Sequence, residues 1–244
     1  MKTLSIGITT FKNRLNDIKK QIVDIKNYDK NIDILLAINT NYNEKMPEEY
    51  RKDLLMFCCQ HENIYPLMFS KYTGLSKMWN NLIVHSSTSH IFIMNDDITF
   101  NNPTGIEQIK REIESKEVFK INNTFGMFII SKNIADKIGY FDERLIAYGE
   151  EDGDFKNRYF KIYNKEVESV FINGIDNRIQ NNRENSYDIN IQCFKDMWGG
   201  NKPLINRKIL NKKSAENWSD EKQYPYEKFL NDNYHNIGKV EEIK

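Results

Sequence analysis

The amino-terminal part of the chain alternates short apolar stretches with amphipathic ones, and this alternation limits it to few folds. The stretches "TLSIGITTF", "IDILLAIN" and "HIFIMN" are apolar and rich in β-branched residues, which is typical of strands buried on both faces. After the first stretch, apolar residues recur at helical spacing, namely at Leu15, Ile18, Ile22 and Ile25. Strands that alternate with helices favour parallel βαβ units. The sequence therefore predicts an α/β protein with a mostly parallel central sheet flanked by helices.

The pattern continues with less regularity through the middle of the chain. Further helices are predicted at 54–58, 74–85, 103–115, 132–139 and 150–165, and further strands at 63–70, 124–131 and 167–174. The inward face of the last helix is predicted to comprise Phe155, Tyr159 and Ile162. Beyond this part the sequence is polar, with few periodic segments. We therefore expect residues 1–176 to form the compact core and residues 177–244 to form an irregular, partly helical extension packed on it.

Charge and cysteine content exclude several classes of function. Lysine plus arginine equals aspartate plus glutamate at 35 each, so no net field attracts nucleic acid. No apolar run approaches the ~20 residues that a membrane-spanning helix needs. Cys58 and Cys59 are adjacent and Cys193 stands alone, so no disulfide framework is expected. A reducing, cytoplasmic location is the prediction that follows.

Two carboxylates, Asp96 and Asp97, follow the apolar strand "HIFIMN" directly. In open α/β sheets, ligands bind at the carboxyl ends of the strands. Mg²⁺ and Mn²⁺ prefer oxygen ligands and often take one or two carboxylates together with substrate phosphates. The pair is therefore a candidate metal site, although Asp and Asn are also common in solvated turns.

A second acidic cluster lies in "GYFDERLIAYGEEDGDF", residues 139–155. Carboxylates are favoured at helix amino termini, which explains one or two of them. Tyr148 and Gly149 directly before the acidic run are less well explained in that way. An aromatic ring can stack on a sugar, and a glycine permits close approach of the backbone to a ligand. The cluster thus predicts a second ligand-binding segment.

Four segments resemble, in order, the inverting glycosyltransferases of the GT-A fold, most nearly the family 2 enzymes and the galactosyltransferase-like group. They are "IGITTFKNR", "GLSKMWNN", "FIMNDDI", which resembles the Asp-x-Asp strand end, and "FDERLIAYGEEDGDF". The likeness covers roughly residues 4–160. The last segment is the most specific, and the order of all four carries much of the weight.

The resemblance implies transfer of a sugar from a nucleotide-diphosphate donor, with a UDP-sugar expected, to an acceptor hydroxyl with inversion. Asp152 would be the general base, and Glu151 and Tyr148 would bind the carbohydrate or glycoconjugate acceptor. Asp97 and Asp96 would hold Mn²⁺ or Mg²⁺, with Asp96 also touching the donor. The remaining donor contacts implied are Thr9, Thr10, Phe11, Arg14, Asn39, Gly74 and Asn80.

The sequence departs from the family pattern at three places. Asn39 stands where an acidic residue is common, which leaves the nucleotide base open. Asn95 replaces the first Asp of the Asp-x-Asp motif. A third metal ligand, often a histidine, is expected beyond the second acidic cluster, but none of the four histidines lies there. Asn173 or Asp176 are the alternatives for that position.

Other functions stay open at this stage. A nucleotidyltransferase would need a glycine-rich basic loop after the first strand, where "GITTFKNR" has one glycine and few cations. A non-catalytic sugar-nucleotide or carbohydrate-binding relative is another alternative, against which Asp97 and Asp152 argue. A nucleic-acid binder would need a basic excess that is absent. The basic stretch "NRKILNKK" suggests peripheral contact with an anionic membrane.

Overall fold

The fold is organised around a seven-stranded sheet with helices on its faces. The computed structural model describes residues 4–11, 14–40, 45–143 and 151–177. Its strands are β1 (Leu4–Phe11), β2 (Asp33–Asn39), β3 (Ile64–Met68), β4 (His90–Asn95), β5 (Ile98–Phe100), β6 (Val118–Ile121), β7 (Thr124–Ser131), β8 (Ser169–Val170) and β9 (Ile175–Asn177). Its helices are α1 (Leu15–Tyr28), α2 (Glu48–Cys59), α3 (Leu75–His85), α4 (Thr104–Glu112), α5 (Lys132–Ile138) and α6 (Glu151–Tyr163).

The strand order of the main sheet is β3-β2-β1-β4-β7-β6-β8. The first four strands are parallel to one another, which confirms the expected βαβ arrangement. β7 is antiparallel to β4, and β6 is antiparallel to β7 and parallel to β8. Among the described strands of this sheet, β7 alone therefore runs against the others. β5 and β9 form a separate antiparallel ribbon.

Both faces of the sheet are covered, which explains why its central strands are apolar throughout. All of β2 is buried, and its side chains alternate between two hydrophobic clusters. Ile34 and Leu36 join the cluster that contains Ile22 of α1, whereas Leu35 and Ala37 join the cluster that contains α3. A strand that is buried on both faces has no solvent-exposed face, so its apolar residues need not alternate with polar ones. The mostly parallel α/β sheet predicted from the sequence is thus confirmed.

Two details of the sequence prediction are wrong. Ile162, expected to face inward, is 40% exposed, because Tyr163 continues the inward face instead and packs against Tyr159 at 4.8 Å between ring centroids. The strand predicted at 167–174 shrinks to β8. Its later residues are held by a side chain rather than by strand pairing, since Asn122 accepts from the N–H of Ile172 and donates to that residue's carbonyl.

Neither the β6–β7 hairpin nor the β5–β9 ribbon is predicted from the sequence. The hairpin turns at Asn122 and Asn123, whose φ angles are 49° and 64°. Two consecutive left-handed residues make the tight turn that matches the twist of paired strands, and asparagine tolerates that conformation better than most residues. The dipeptide Asn-Asn between apolar stretches is the signal that could have revealed this hairpin.

The described part of the chain contains no helix that is both long and apolar enough to cross a membrane. The strands and helices up to β8 lie within residues 1–176, and β9 ends at Asn177, one residue beyond that range. The boundary placed at residue 176 stays a prediction, because residues 178–244 lie outside the described part.

Candidate active site at the carboxyl edge of the sheet

Three parallel strands end at one edge of the sheet and bring the first group of predicted site residues together. The register pairs Phe11 of β1 with Asn39 of β2, and Thr9 of β1 with Asn95 of β4. Asp96 follows Asn95 directly and therefore lies beside Thr10. This edge is where open α/β sheets bind ligands.

Asp96 is buried and held by two of the predicted donor residues. Thr10 Oγ1 donates to Asp96 Oδ2 at 2.8 Å, and Arg14 Nη1 lies 3.9 Å from Asp96 Oδ1. Burial raises the pKa of the Asp96 carboxyl to about 6, while Arg14 and Thr10 lower it and the neighbouring Asp97 raises it further. The structure thus brings Thr10, Arg14 and Asp96 into one cluster.

The backbone around the Asp pair is fixed by a residue that the sequence analysis did not name. Gln21 of α1 donates through Nε2 to the carbonyls of Asn95 at 3.2 Å and Ile98 at 2.8 Å. These carbonyls flank Asp96 and Asp97, so Gln21 sets where the two carboxylates leave the main chain. Its signal in the sequence is a polar residue placed among the apolar positions of an amphipathic helix.

Asn95 takes part in the same edge through its side chain. Thr9 Oγ1 donates to Asn95 Oδ1 at 3.4 Å. On the other side lies Gly126 of β7, where a Cβ atom would come within 3.2 Å of Asn95 Nδ2. The absence of a side chain at Gly126 leaves room for the Asn95 amide. Thr9 and Gly126 therefore accommodate an asparagine at position 95, where the Asp-x-Asp motif has an aspartate.

Tyr50 of α2 is a second residue that the sequence analysis did not name. It is buried, and its hydroxyl donates to the carbonyl of Phe11 at 3.4 Å. Burial, and after it the charge of Asp96, raise the pKa of the Tyr50 phenol. Phe11 is half-buried at the end of β1. Tyr50 thus binds the carboxyl end of β1 through its hydroxyl and lies within reach of the charge on Asp96.

Asn39 is buried and its amide is fully engaged with the segment before α3. Its Nδ2 donates to Thr73 O at 2.6 Å and approaches Met78 Sδ at 3.4 Å, and its Oδ1 accepts from the N–H groups of Thr73 and Thr40. Gly74, the residue before α3, has an ordinary extended backbone. Asn39 therefore places the start of α3 at the ligand edge, and its direct contact with a donor stays a prediction.

Asn80 lies in the middle of α3 and is fully buried. Its Nδ2 donates to Phe141 O at 2.8 Å and to Glu143 Oε1 at 3.0 Å, and its Oδ1 accepts from Phe141 N at 2.9 Å. A direct contact with a donor would require one of these donated bonds to break. The structure places Asn80 against the second acidic segment, in which Asp142 is buried and Glu143 is half-buried.

The second acidic segment continues into the first turn of α6. Glu151 is buried, and Asp152 is partly exposed and pairs with Lys156, whose Nζ lies 2.8 Å from Asp152 Oδ2. Asp154 pairs with the buried Arg158 at 3.0 Å. Tyr148, the predicted aromatic contact for the acceptor, lies outside the described residues.

Contacts through β7 connect the start of α6 to the Asp pair. Lys156 Nζ lies 5.5 Å from the centroid of the Phe125 ring, and Phe155 also packs against Phe125. Phe125 precedes Gly126, which is the neighbour of Asn95. The acidic first turn of α6 therefore lies at the same edge of the sheet as Asp96 and Asp97.

Comparisons with solved structures identify the fold. Neither a protein-family model nor a curated protein matches the sequence. Among solved structures, TarS 1–349 of S. aureus in complex with UDP has a TM-score of 0.54 at 12% identity, covering 69% of this chain and 58% of that one. The mannosyltransferase PcManGT of Pyrobaculum calidifontis, in complex with GDP-Man and Mn²⁺, has a TM-score of 0.61 at 8% identity, covering 81% of this chain and 64% of that one. This is the GT-A fold.

A third GT-A structure is similar over more of its own length. It is glucosyl-3-phosphoglycerate synthase from Mycobacterium tuberculosis in complex with Mn²⁺, UDP and glucosyl-3-phosphoglycerate, with a TM-score of 0.56 at 9% identity, covering 84% of this chain and 78% of that one. The chain spans less than two thirds of TarS 1–349 and of PcManGT. At these identities the likeness establishes the fold.

The residues at the GT-A ligand edge fit a divalent cation that is shared with a ligand. Asp96 and Asp97 offer adjacent carboxylate oxygens, and Mg²⁺ commonly uses one or two carboxylates with substrate phosphates. No group of three His, Cys, Asp or Glu side chains in the described ranges could hold a metal by itself. Of the two alternatives for a third ligand, Asp176 accepts a hydrogen bond from Asn101, and Asn173 is exposed.

Proposed function

We propose that this chain is a glycosyltransferase that moves a sugar from a nucleotide-diphosphate donor to an acceptor hydroxyl with inversion. The observation that carries the proposal is the pairing of two acidic groups at one edge of a GT-A fold. One is the Asp96–Asp97 pair after β4, and the other is the first turn of α6, which holds Asp152.

On the donor side, the chain supplies carboxylates and the groups that place them. Thr10 and Arg14 hold Asp96, and Gln21 fixes the main chain on both sides of the pair. Asp97, with Asp96, would bind Mn²⁺ or Mg²⁺, which as a Lewis acid neutralises the negative charge that develops on a leaving diphosphate. The departing group then needs no proton from the protein.

On the acceptor side, Asp152 is the proposed general base. Lys156 holds its Oδ2 at 2.8 Å, whereas its Oδ1 makes no hydrogen bond to the described residues. That oxygen can accept the proton of an attacking hydroxyl, since a base must lie within hydrogen-bond reach of the proton that it takes. Glu151, directly before Asp152, and Tyr148 are the proposed acceptor contacts.

The complexes of the similar structures support a nucleotide donor. TarS 1–349 binds UDP, PcManGT binds GDP-Man with Mn²⁺, and the synthase binds UDP with Mn²⁺. For this chain we propose a UDP-sugar as the donor, a carbohydrate or glycoconjugate as the acceptor, and a cytoplasmic location. Peripheral membrane association through the basic stretch "NRKILNKK" belongs to the same proposal.

The test is binding and turnover with a panel of sugar nucleotides in Mn²⁺. UDP binding by calorimetry, release of UDP from each donor, and the anomeric configuration of the product by NMR are measured for the wild-type protein. Asp97→Ala is expected to abolish metal-dependent binding and turnover, and Asp152→Asn is expected to retain binding and lose turnover. Asp24→Ala and Asp53→Asn remove surface carboxylates and serve as matched controls.

The outcomes separate the parts of the proposal. Binding without turnover of any donor would support the non-catalytic alternative. Full turnover by Asp97→Ala would show that the Asp pair has been assigned the wrong role. Wild-type turnover by Asp152→Asn would remove only the general base.

A further inference from the structure

The segment 138–143 connects α5 to the second acidic cluster, and two buried side chains hold it from opposite sides. It begins at the end of α5, turns at Gly139 with φ of 93°, and carries Asp142 and Glu143. All its residues are buried except Glu143, which is half-buried. Such a segment has no regular strand or helix pairing of its own, so its position depends on the side chains that bind its backbone.

Arg158 of α6 fixes the start of this segment. Its guanidinium donates to the carbonyls of Ile138, Gly139 and Tyr140, each at 2.9 Å, and to Asp154 at 3.0 Å. A buried guanidinium is tolerated only when it is paired and hydrogen-bonded. Ile138 is the last residue of α5, and Gly139 and Tyr140 follow it directly. A positive charge at this end of the helix is also favoured by the helix dipole. Arg158 thus joins the end of α5 to the helix that carries Asp152.

Asn80 of α3 fixes the end of the segment. It binds both the N–H and the carbonyl of Phe141 and also the carboxylate of Glu143. This pattern requires a side chain that both donates and accepts, which an amide provides and a carboxylate does not. Asn80 is fully buried, so these bonds are made without competition from water.

The ring of Phe141 packs between α3 and α6. It stacks on Phe155 of α6 at 4.9 Å and packs edge-on against Trp79 of α3 at 4.8 Å. Segment 138–143 is therefore fixed between two helices. One of them begins beside Asn39 on the proposed donor side, and the other begins with Glu151 and Asp152 on the proposed acceptor side.

We propose that Asn80 is a positioning residue for the acceptor side of the site and acts through Phe141 and Glu143 rather than by touching the donor. Arg158 supports the same segment from α6. This inference rests on the proposed function and deepens it, because it assigns to Asn80 a role in placing the catalytic turn. Loss of the Asn80 bonds should disturb transfer and leave nucleotide binding intact.

The test uses Asn80→Asp, which retains the shape and the bond from the N–H of Phe141 but loses both donated bonds. It also places a carboxylate against Glu143. Adding Glu143→Gln restores a bond in the reverse direction, since the introduced amide can donate to the introduced carboxylate. Asn81→Asp, one position along α3, is the matched control. UDP binding in Mn²⁺ is measured by calorimetry, and release of UDP from the active donor gives turnover.

We expect Asn80→Asp to lower turnover by about tenfold or more, as small displacements of catalytic groups do, without a change in the Kd of UDP. Turnover relative to the wild-type protein at the same pH should recover as pH falls, when the carboxyl introduced at position 80 and that of Glu143 can share a proton. It should also recover in the double variant Asn80→Asp/Glu143→Gln. If Asn80→Asp does not fold, Glu143→Ala removes one bond from the other side and should show the same split between turnover and binding.

Three results would overturn the inference. Weaker UDP binding in proportion to the lost turnover would make Asn80 a donor contact, as the family resemblance implies. Failure of both low pH and Glu143→Gln to recover turnover would show that Glu143 does not transmit the effect. If wild-type protein binds no UDP, the proposed function fails, and the inference that rests on it fails too.

Discussion

Thr10 Oγ1 and Asp96 Oδ2 are joined by a 2.8 Å hydrogen bond that crosses from the end of β1 to the end of β4. It is one of few favourable contacts for a carboxylate that is otherwise buried. Since burial still raises the pKa of Asp96 to about 6, these contacts do not fully compensate for lost hydration. The site therefore holds a charge that the protein alone stabilises poorly, as expected where a cation completes the arrangement.

Replacing Asp96 should stabilise the ligand-free protein at neutral pH. Its pKa rises from the ordinary value of 3.8 to about 6 on folding, so the folded protein loses stability from this group as pH rises between those values. The loss is on the order of 3 kcal/mol and is complete about one pH unit above the folded pKa. Asp96→Asn should remove this loss while retaining the bond from Thr10. Urea unfolding at pH 5 and pH 7 measures it, and equal pH dependence in both proteins would contradict it.

Removal of UDP and Mn²⁺ should lower the free energy of unfolding, because the Asp96 carboxylate then lacks a compensating cation. UDP with Mn²⁺ at about 100 times its Kd should raise the free energy of unfolding by roughly 2.7 kcal/mol, and EDTA should reverse the gain. Asp97→Asn should show little of this stabilisation, because the metal loses its more accessible carboxylate. Thermal unfolding with UDP alone, with Mn²⁺ alone and with both measures the coupling. Equal stabilisation by UDP in EDTA would show that no metal is shared.

Gln21→Leu should weaken both the fold and the site. The variant leaves the carbonyls of Asn95 and Ile98 without their donor, which costs about 1–3 kcal/mol for each buried group left unsatisfied. It should also loosen the main chain at the Asp pair and weaken Mn²⁺-dependent UDP binding, because residues that orient ligands affect metal affinity by roughly 10–100-fold. Gln108→Leu, the same change at a partly exposed residue, is the control for both measurements. Unchanged binding would limit Gln21 to a structural role.

Asn39→Asp introduces the acidic residue that is common in the glycosyltransferases that the sequence resembles, yet it should reduce stability and UDP affinity. A carboxylate cannot donate to the carbonyl of Thr73, so this close contact becomes repulsive and the start of α3 shifts. The free energy of unfolding should fall by on the order of 2 kcal/mol. Asn31→Asp, at an exposed position, is the control. Tighter binding of UDP by Asn39→Asp would instead indicate that residue 39 reads the nucleotide directly.

The sequence predicted the parts of the site that depend on local pattern. β1, β2 and β4 are buried on both faces, and the Asp pair follows the last of them, so their type and ends are visible in the residues themselves. Gln21 and Tyr50 were not foreseen, because their partners depend on how distant strands are placed. Gln21 and Ile98, for example, are 77 positions apart. The donor contacts of Asn39 and Asn80 stay predictions, because the family pattern gives a position but not the hydrogen bonds made there.

The reversed direction of β7 has a consequence for how one short chain assembles both halves of the site. β7 begins at the ligand edge with Thr124, Phe125 and Gly126 and ends at the far edge, where the N–H of Lys132 donates to Ser89 O. α5 therefore starts at the far edge of the sheet, and the chain returns to the ligand edge before α6 begins. Because β7 starts at the ligand edge, its residues Phe125 and Gly126 lie between Asn95 and the start of α6. The antiparallel strand therefore supplies the packing that joins the two acidic groups, while α5 and segment 138–143 return the chain to this edge.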